Sequence, residues 1–309
     1  MSSSDPEEMI IACGADDGYA LHLLIMLQSL IRSQPPETRI RCYIMDGGVL
    51  PVNRAKVDAL MMRSPDRFRF EWLSVDRARF AGLMEAPLLT HLSGAALLRL
   101  LLPELLPDTE RILYIDSDVL VQGDLTALYE TPFAGTHLVG VQDFFVPSLS
   151  YIADKEPGVP TDGKTVNSGV IVMNLARFRE TGVMARAMEM MARQPSWSDQ
   201  EGINAALAGD WTPAPFLYNL QTHWVYLESL PESDVQQEIA SYSGKLPDDA
   251  RIAHFTGQVK PWNCGYRHPF RIRYERAMRN SGWFSAAEWM QWKTRRVADY
   301  VAERLRGTR

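Results

Sequence analysis

Cysteine is scarce in this chain of 309 residues. Cys13, Cys42 and Cys264 are odd in number and nowhere form a C-x-x-C pair, which argues against zinc or redox work and leaves isolated, reduced thiols. Long apolar runs are missing as well. The longest, Ala20 to Ile31, is broken by His22, Gln28 and Ser29, and is too short and too polar for a membrane span. The opening Met-Ser-Ser-Ser-Asp-Pro-Glu-Glu has neither the basic region nor the apolar core of a secretory signal, so a cytoplasmic protein is expected. Net positive charge is absent too. The balance of 32 Lys and Arg against 38 Asp and Glu is −6, which gives no general attraction for phosphate backbones and excludes nucleic acid as the main partner. The 19 prolines and 20 glycines are scattered and nothing repeats at a fixed period, so collagenous, low-complexity and largely disordered chains are excluded.

What remains, 46% hydrophobic and 23% charged, is ordinary globular composition with core enough for one large α/β domain or two modest ones. Met9-Ile-Ile-Ala-Cys13, ended by Gly14, predicts a buried strand, and Tyr19 to Arg32 has helical spacing of Leu and Ile. Ile40, Cys42 and Ile44 alternate with polar residues ahead of Asp46-Gly47-Gly48, Pro51 opens a helix through Met62, and Phe68 to Trp72 is a third strand. Ser93 is a candidate N-cap for a helix ending near Leu102, before Pro103, and Arg111 to Ile115 is a fourth strand. Leu138 to Val141 and Gly169 to Met173 are further apolar runs, and Gln200 to Ala208 reads as helix. Such β-α alternation predicts a largely parallel sheet covered by helices on both faces, with ligands beyond the carboxyl ends of the strands.

Charge is unevenly spread. From Arg271 to Arg309, ten Lys or Arg stand against Glu275, Glu288, Asp299 and Glu303, giving +6 there and −12 elsewhere. The same segment holds Trp283, Phe284, Trp289 and Trp292. Cations mixed with indoles suit a helix on an anionic membrane surface, and equally a C-terminal helix docking its aromatics on its own domain.

Directly after the fourth strand stands Asp116-Ser117-Asp118. Two carboxylates one residue apart repel unless a cation joins them, and hard oxygen ligands suit Mn²⁺ or Mg²⁺. An Asp-x-Asp alone is a common accident, and its place at a strand's carboxyl end is what raises it above a solvated turn. A second cluster is His254-Phe-Thr-Gly257-Gln-Val-Lys260-Pro-Trp262. His is a third metal ligand type, Gly admits a close phosphate, and Lys supplies a point charge for it. Each residue alone is more often structural; the conjunction points to a site.

With these anchors the chain resembles the family 8 glycosyltransferases, retaining enzymes of the GT-A fold. The resemblance runs from about Met9 to Trp262. It is carried by Ala15-Asp16-Asp17-Gly18-Tyr19, the Leu92 to Pro103 segment around Arg99, Ile112 to Asp118, Asp143, Asn167-Ser168-Gly169, Asp199-Gln200 and the His254 cluster, in the family's order. It implies a Rossmann-like α/β fold with a mostly parallel mixed sheet, in one catalytic domain over 1–270 with a basic aromatic extension over 271–309. It further implies transfer of galactose or glucose from a UDP-sugar to a glycan or glycolipid acceptor. By that resemblance Asp116, Asp118 and His254 hold Mn²⁺ or Mg²⁺ against the diphosphate. Asp16 and Tyr19 bind uracil, with Ala15 and Ser117 among the donor contacts. Arg99 and Asp143 face the donor ribose or sugar, Asn167 and Gly169 line the sugar pocket, and Gly257 and Lys260 hold phosphate. Gln200, with Asp199 beside it, takes the position facing the reacting carbon. Gly18 and Leu97 depart from the family's usual Asn and aromatic. Members of the family that work at membranes favour the membrane reading of 271–309, on the inner face.

Two other readings stand beside this one. The Asp116-Ser-Asp118 strand end also resembles the haloacid-dehalogenase phosphatases, with Asp116 as nucleophile and Lys245 and Asp248-Asp249 as helpers. A non-catalytic sugar-nucleotide binder would keep the same residues.

Overall fold

The first apolar run forms β1 (Met9–Ala15), buried because both its faces carry core side chains such as Ile11, Ala12 and Cys13. The structure is a computed structural model that describes residues 8–63, 66–75, 96–221, 249–257, 260–262 and 270–306. A 3-10 turn leads from β1 into α1 (Ala20–Ser33), then β2 (Ile40–Asp46), α2 (Pro51–Met61) and β3 (Phe68–Ser74). After a 3-10 helix, Ala96–Leu101, come α3 (Leu102–Leu105), β4 (Arg111–Ile115), β5 (Val119–Val121), α4 (Thr126–Glu130), β6 (Leu138–Gln142) and α5 (Ser150–Ala153). The chain continues through β7 (Val166–Asn174), α6 (Leu175–Thr181), α7 (Val183–Arg193), α8 (Asp199–Leu207), β8 (Thr212–Pro213) and β9 (Leu220–Gln221). The last elements are β10 (Ile252–His254), α9 (Arg271–Arg279) and α10 (Ala286–Arg306).

The seven-stranded sheet has the order β3-β2-β1-β4-β7-β6-β8. Every neighbouring pair is parallel except those made by β7, which runs against both β4 and β6. Helices α1 and α2 cover one face, and the 3-10 helix with α6, α7 and α8 covers the other, each over its own apolar cluster. The reversal of β7 positions the site. It brings the beginning of β7 beside the end of β4, with Ile115 opposite Val170 and the Asp116 amide donating to the Gly169 carbonyl at 2.8 Å. A second sheet, β5-β10-β9, sets His254 opposite both Val119 and Gln221.

Three expectations change. Pro103 lies inside α3, in the first turn, where its missing N–H is not needed, so the helical segment runs past it; Ser93 lies outside the described residues. Cys13 and Cys42 are not isolated: their sulfurs are 3.8 Å apart on adjacent strands, while Cys264 lies outside the described residues. The aromatics of the basic tail meet their own domain. Phe284, Trp289 and Trp292 pack on a cluster built from Phe144, Phe216, Phe255, Phe270, Tyr274 and Met278, and Trp283 packs on the α1 side. Among the described residues no helix is long and apolar enough to cross a membrane.

Candidate active site

Where β4 ends, the hydroxyl of Ser117 donates to the Gly14 carbonyl at 2.7 Å, pinning the turn to β1. Ser117 is thereby committed to the scaffold, and the carboxylates on either side of it converge on His254. Its Nε2 lies 3.4 Å from Asp118 Oδ1 and 3.8 Å from Asp116 Oδ2. Asp116, Asp118 and His254 each offer a ligand atom within 4.8 Å of the others, a group able to hold a metal ion. Gly169 makes room for it: a Cβ there would stand 2.3 Å from His254 Cε1 and 2.5 Å from Asp116 Oδ2.

Lys260 donates to Asp118 Oδ2 at 2.6 Å and to the Phe255 carbonyl. Burial opposes the charge on Asp118, but Lys260 and His254 outweigh it and hold the carboxyl well below the usual carboxylate range. Burial likewise opposes the Lys260 charge, and Asp118 overcomes it, keeping the ammonium protonated above its ordinary range. Gly257, in the same segment, has a left-handed φ of 75°, a conformation that favours glycine.

Arg99 is the hub between this cluster and the next. Its buried guanidinium reaches Asp116 Oδ1 at 2.9 Å, Asp199 Oδ2 at 2.9 Å and the Ser168 carbonyl at 2.5 Å, and lies 4.4 Å over the Tyr114 ring. The Tyr114 hydroxyl adds a 2.8 Å bond to Asp116 Oδ1. Burial pushes the Asp199 carboxyl up to about 6 despite the pull of Arg99.

Beyond Gly169 the contacts become amides. Asn167 Nδ2 donates to Asp143 Oδ2 at 2.9 Å and to Gln200 Oε1 at 3.2 Å, and Gln200 Nε2 donates to Asp143 Oδ2 at 3.0 Å. Asp143 follows β6 and is anchored through Oδ1 by the amides of Phe145 and Val146, at 2.9 and 2.7 Å. Gln200 sits in the first turn of α8, whose N-terminus is closed by a Ser198–Glu201 capping box.

At the start of the site, Ala15 is buried at the end of β1, and Asp16 Oδ1 accepts from the Tyr19 amide at 3.1 Å. Tyr19 meets Trp262 edge-on at 6.4 Å, and Trp262 stacks on His22 at 3.7 Å. The structure thus gathers Asp116, Asp118, His254, Lys260, Arg99 and Asp199 in one cluster and Asp143, Asn167 and Gln200 in another. Asp16, Tyr19 and Trp262 line up on a third side. Sequence reasoning gave no role to Tyr114 and Ser168, which lie within the quoted motifs, and none to His22 or Asn219. Asn219 is fully buried between the clusters, its only sequence signal being an amide next to the apolar Leu220.

A profile described as Glycosyl transferase family 8 matches residues 10–264. The chain belongs to glycosyl transferase family 8. It is a glycosyltransferase, and membership sets aside the phosphatase reading, whose Lys245 and Asp248 lie outside the described residues. Among its relatives, General stress protein A of Bacillus subtilis is 28% identical over 281 residues, covering 89% of this chain and 94% of the relative. The lipopolysaccharide 1,2-glucosyltransferase of Escherichia coli is 27% identical over 180 residues, 56% of this chain and 50% of that protein. This chain therefore spans nearly all of the first relative and about half of the second. Among solved structures, the galactosyltransferase LgtC in complex with donor and acceptor sugar analogs superposes with a TM-score of 0.73 at 24% identity, over 92% of this chain and 100% of LgtC. That likeness establishes the GT-A fold, the mostly parallel α/β sheet expected from the sequence.

Proposed function

We propose that this family 8 enzyme transfers a hexose, galactose or glucose, from a UDP-sugar to a hydroxyl of a glycan or glycolipid acceptor with retention at the anomeric carbon. The observation that carries this reading is the convergence of Asp116, Asp118 and His254, with Lys260 at 2.6 Å from Asp118. The donor set of two carboxylates and one imidazole fits Mn²⁺ or Mg²⁺, and Gly169 leaves the space a side chain would fill. When bound, such an ion supplies a Lewis acid for the negative charge that grows on the departing UDP. Lys260 adds a positive charge at the same end, Gly257 lets backbone approach phosphate, and Asp16 and Tyr19 receive the uracil.

On the sugar side, Asp143 and Asn167 take the hexose hydroxyls, while Gln200 steadies the positive charge at the anomeric carbon. The Gln200 oxygen already accepts from Asn167 Nδ2 and from the Ser168 amide at 3.1 Å, which supports an electrostatic role over attack by that oxygen. The lipopolysaccharide glucosyltransferase and the galactosyltransferase among the relatives support hexose as the cargo. The division into a catalytic domain over 1–270 and an extension over 271–309 belongs to this proposal. So does residence in the cytosol with peripheral contact to an anionic membrane. Exposed Ile272, Met290 and Val297 beside the tail's arginines support that contact, whereas its indoles are taken up by the core.

The test is UDP release from UDP-galactose and UDP-glucose, with Mn²⁺ or with EDTA. Metal-dependent release from one donor is the expected result. No UDP binding under any condition would overturn the reading.

A further inference from the structure

We propose that Asn219, a residue outside every recognised motif, is a positioning residue that sets the tautomer of His254 and couples the metal-binding cluster to the donor-sugar side. This rests on the transferase reading above and deepens it. The argument begins at a backbone amide, whose direction is not open to choice. The Gly169 N–H points at one end of the Asn167 side chain at 3.2 Å, so that end is the oxygen. The same oxygen lies 2.9 Å from the Asn219 side chain, which must present its NH₂ there. The other end of Asn219 is therefore the carbonyl, and it faces His254 Nδ1 at 2.9 Å. An amide oxygen only accepts, so Nδ1 carries a proton, which leaves Nε2, turned toward Asp116 and Asp118, as the ring nitrogen that a metal ion would take.

The opposite end of the relay is fixed in the same way. The Ser168 amide donates to Gln200 Oε1 at 3.1 Å, so Gln200 presents its NH₂ to Asp143 Oδ2. Asn167 Nδ2 closes the circuit onto that carboxylate and onto Gln200 Oε1. Asn219 thus joins one metal ligand to the residues set for the hexose, with no solvent exposure of its own. A buried amide of this kind is costly unless both its ends are used, and here each end serves a different half of the site. Hydrogen bonding of a ligating imidazole through its second nitrogen typically matters for metal affinity, as carboxylate or amide partners fix ring orientation and proton position.

The full chain is tested with Mn²⁺ alone, titrated and followed by electron paramagnetic resonance of the unbound ion, without donor or turnover. Asn219→Leu removes both bonds at similar volume. Asn219→Asp keeps an acceptor for His254 Nδ1 and removes the donor toward Asn167. Asn219→Leu is expected to weaken Mn²⁺ binding roughly 10–100-fold, and Asn219→Asp to retain it. Calorimetry with UDP and UDP-hexose in the presence of Mn²⁺ should show Asn219→Asp losing its preference for the sugar-bearing ligand. Unchanged Mn²⁺ affinity in a folded Asn219→Leu overturns the proposal. Where that variant does not fold, an Asn219→Asp protein of native circular dichroism that has lost Mn²⁺ affinity overturns it as well. A wild-type chain that binds neither Mn²⁺ nor Mg²⁺ overturns the transferase reading along with it, which separates the two failures.

Discussion

Around Asp116 and Asp118 the side chains are held by charge, whereas around Gln200 they are held by neutral amides. On the first side Arg99 lies 2.9 Å from Asp116 and Lys260 lies 2.6 Å from Asp118, in largely buried surroundings. On the second, Asn167 and Gln200 converge on the one carboxylate of Asp143 at 2.9 and 3.0 Å, and Asn219 joins them through the Asn167 oxygen at 2.9 Å. The difference follows from what each side must bind. A diphosphate and its metal bring large charge and tolerate some play in position, so buried ions of both signs suit them. A sugar brings hydroxyls that differ only in direction, and directed amide bonds anchored to backbone N–H groups discriminate direction.

Arg99 belongs to both sides, so removing it is the largest expected break. Arg99→Leu leaves Asp199 buried without its cation, and a loss of about 3–5 kcal/mol in folding stability is expected from denaturant unfolding. Asp199→Asn in the same chain should restore part of that loss. Full stability in Arg99→Leu alone would mean that the ion pairs across the hub carry no weight. Asp116→Asn comes next and separates function from folding. Donor turnover is expected to fall on the order of 10²–10³-fold, while stability changes by no more than about 1 kcal/mol. Steady-state UDP release and a thermal melt on the same preparation check both halves.

The third break uses pH and a group outside both sides. Burial against Trp262 pushes the His22 imidazole down to about 4, with Tyr274 bonded to its Nδ1. Between there and the unfolded value of about 6.5 the unfolded chain takes up a proton that the folded chain refuses. Stability should therefore be full above that window and fall as pH drops through it, by about 3 kcal/mol in all. The charged groups nearest His22 are Asp118 and Lys260, which act in opposite directions on its protonation, and Tyr19 packs edge-on against its ring. Asp199, with its carboxyl raised to about 6, works the other way: the folded chain holds that proton, so its contribution grows as pH falls. Comparing wild type with His22→Gln removes the shared background. A pH profile identical in both would exclude His22 as the source.

Much of this arrangement could be read locally. The apolar Arg111 to Ile115 strand running into Asp-Ser-Asp announces its own end, the His254 cluster stands out by its conjunction of residue types, and Asn167 and Gln200 came from the family resemblance. Two things could not be read that way. An apolar run buried on both faces looks the same in either direction, so nothing in Val166–Asn174 disclosed that β7 runs against its neighbours. Side-chain partners came from distant segments: Asn219 and His254 are 35 positions apart, and Cys13 lies 29 from Cys42. Periodicity reports which face is buried and is silent about which polar group waits there.

The tail supplies the smallest expected effect and the control for the whole comparison. Glu275 on α9 takes Lys293 of α10 at 2.8 Å, a bond as short as those around Asp116, but the Lys293 side chain keeps 43% of its surface in water. If the ionic contacts of Arg99 with Asp199 matter because they are buried, the exposed pair should be nearly silent. Lys293→Ala is expected to cost at most about 1 kcal/mol by urea unfolding. Raising the salt concentration should shrink even that difference, because water and mobile ions already screen the pair. Trp289→Ala, on the same helix, should cost more, since its indole stacks on Trp292 at 5.1 Å over the Phe270 cluster and leaves a gap that salt does not fill. A Lys293→Ala loss that matched Trp289→Ala and persisted in high salt would show that exposure does not separate the two kinds of contact here, and burial would then no longer account for the weight assigned to charge at Arg99 and Asp199.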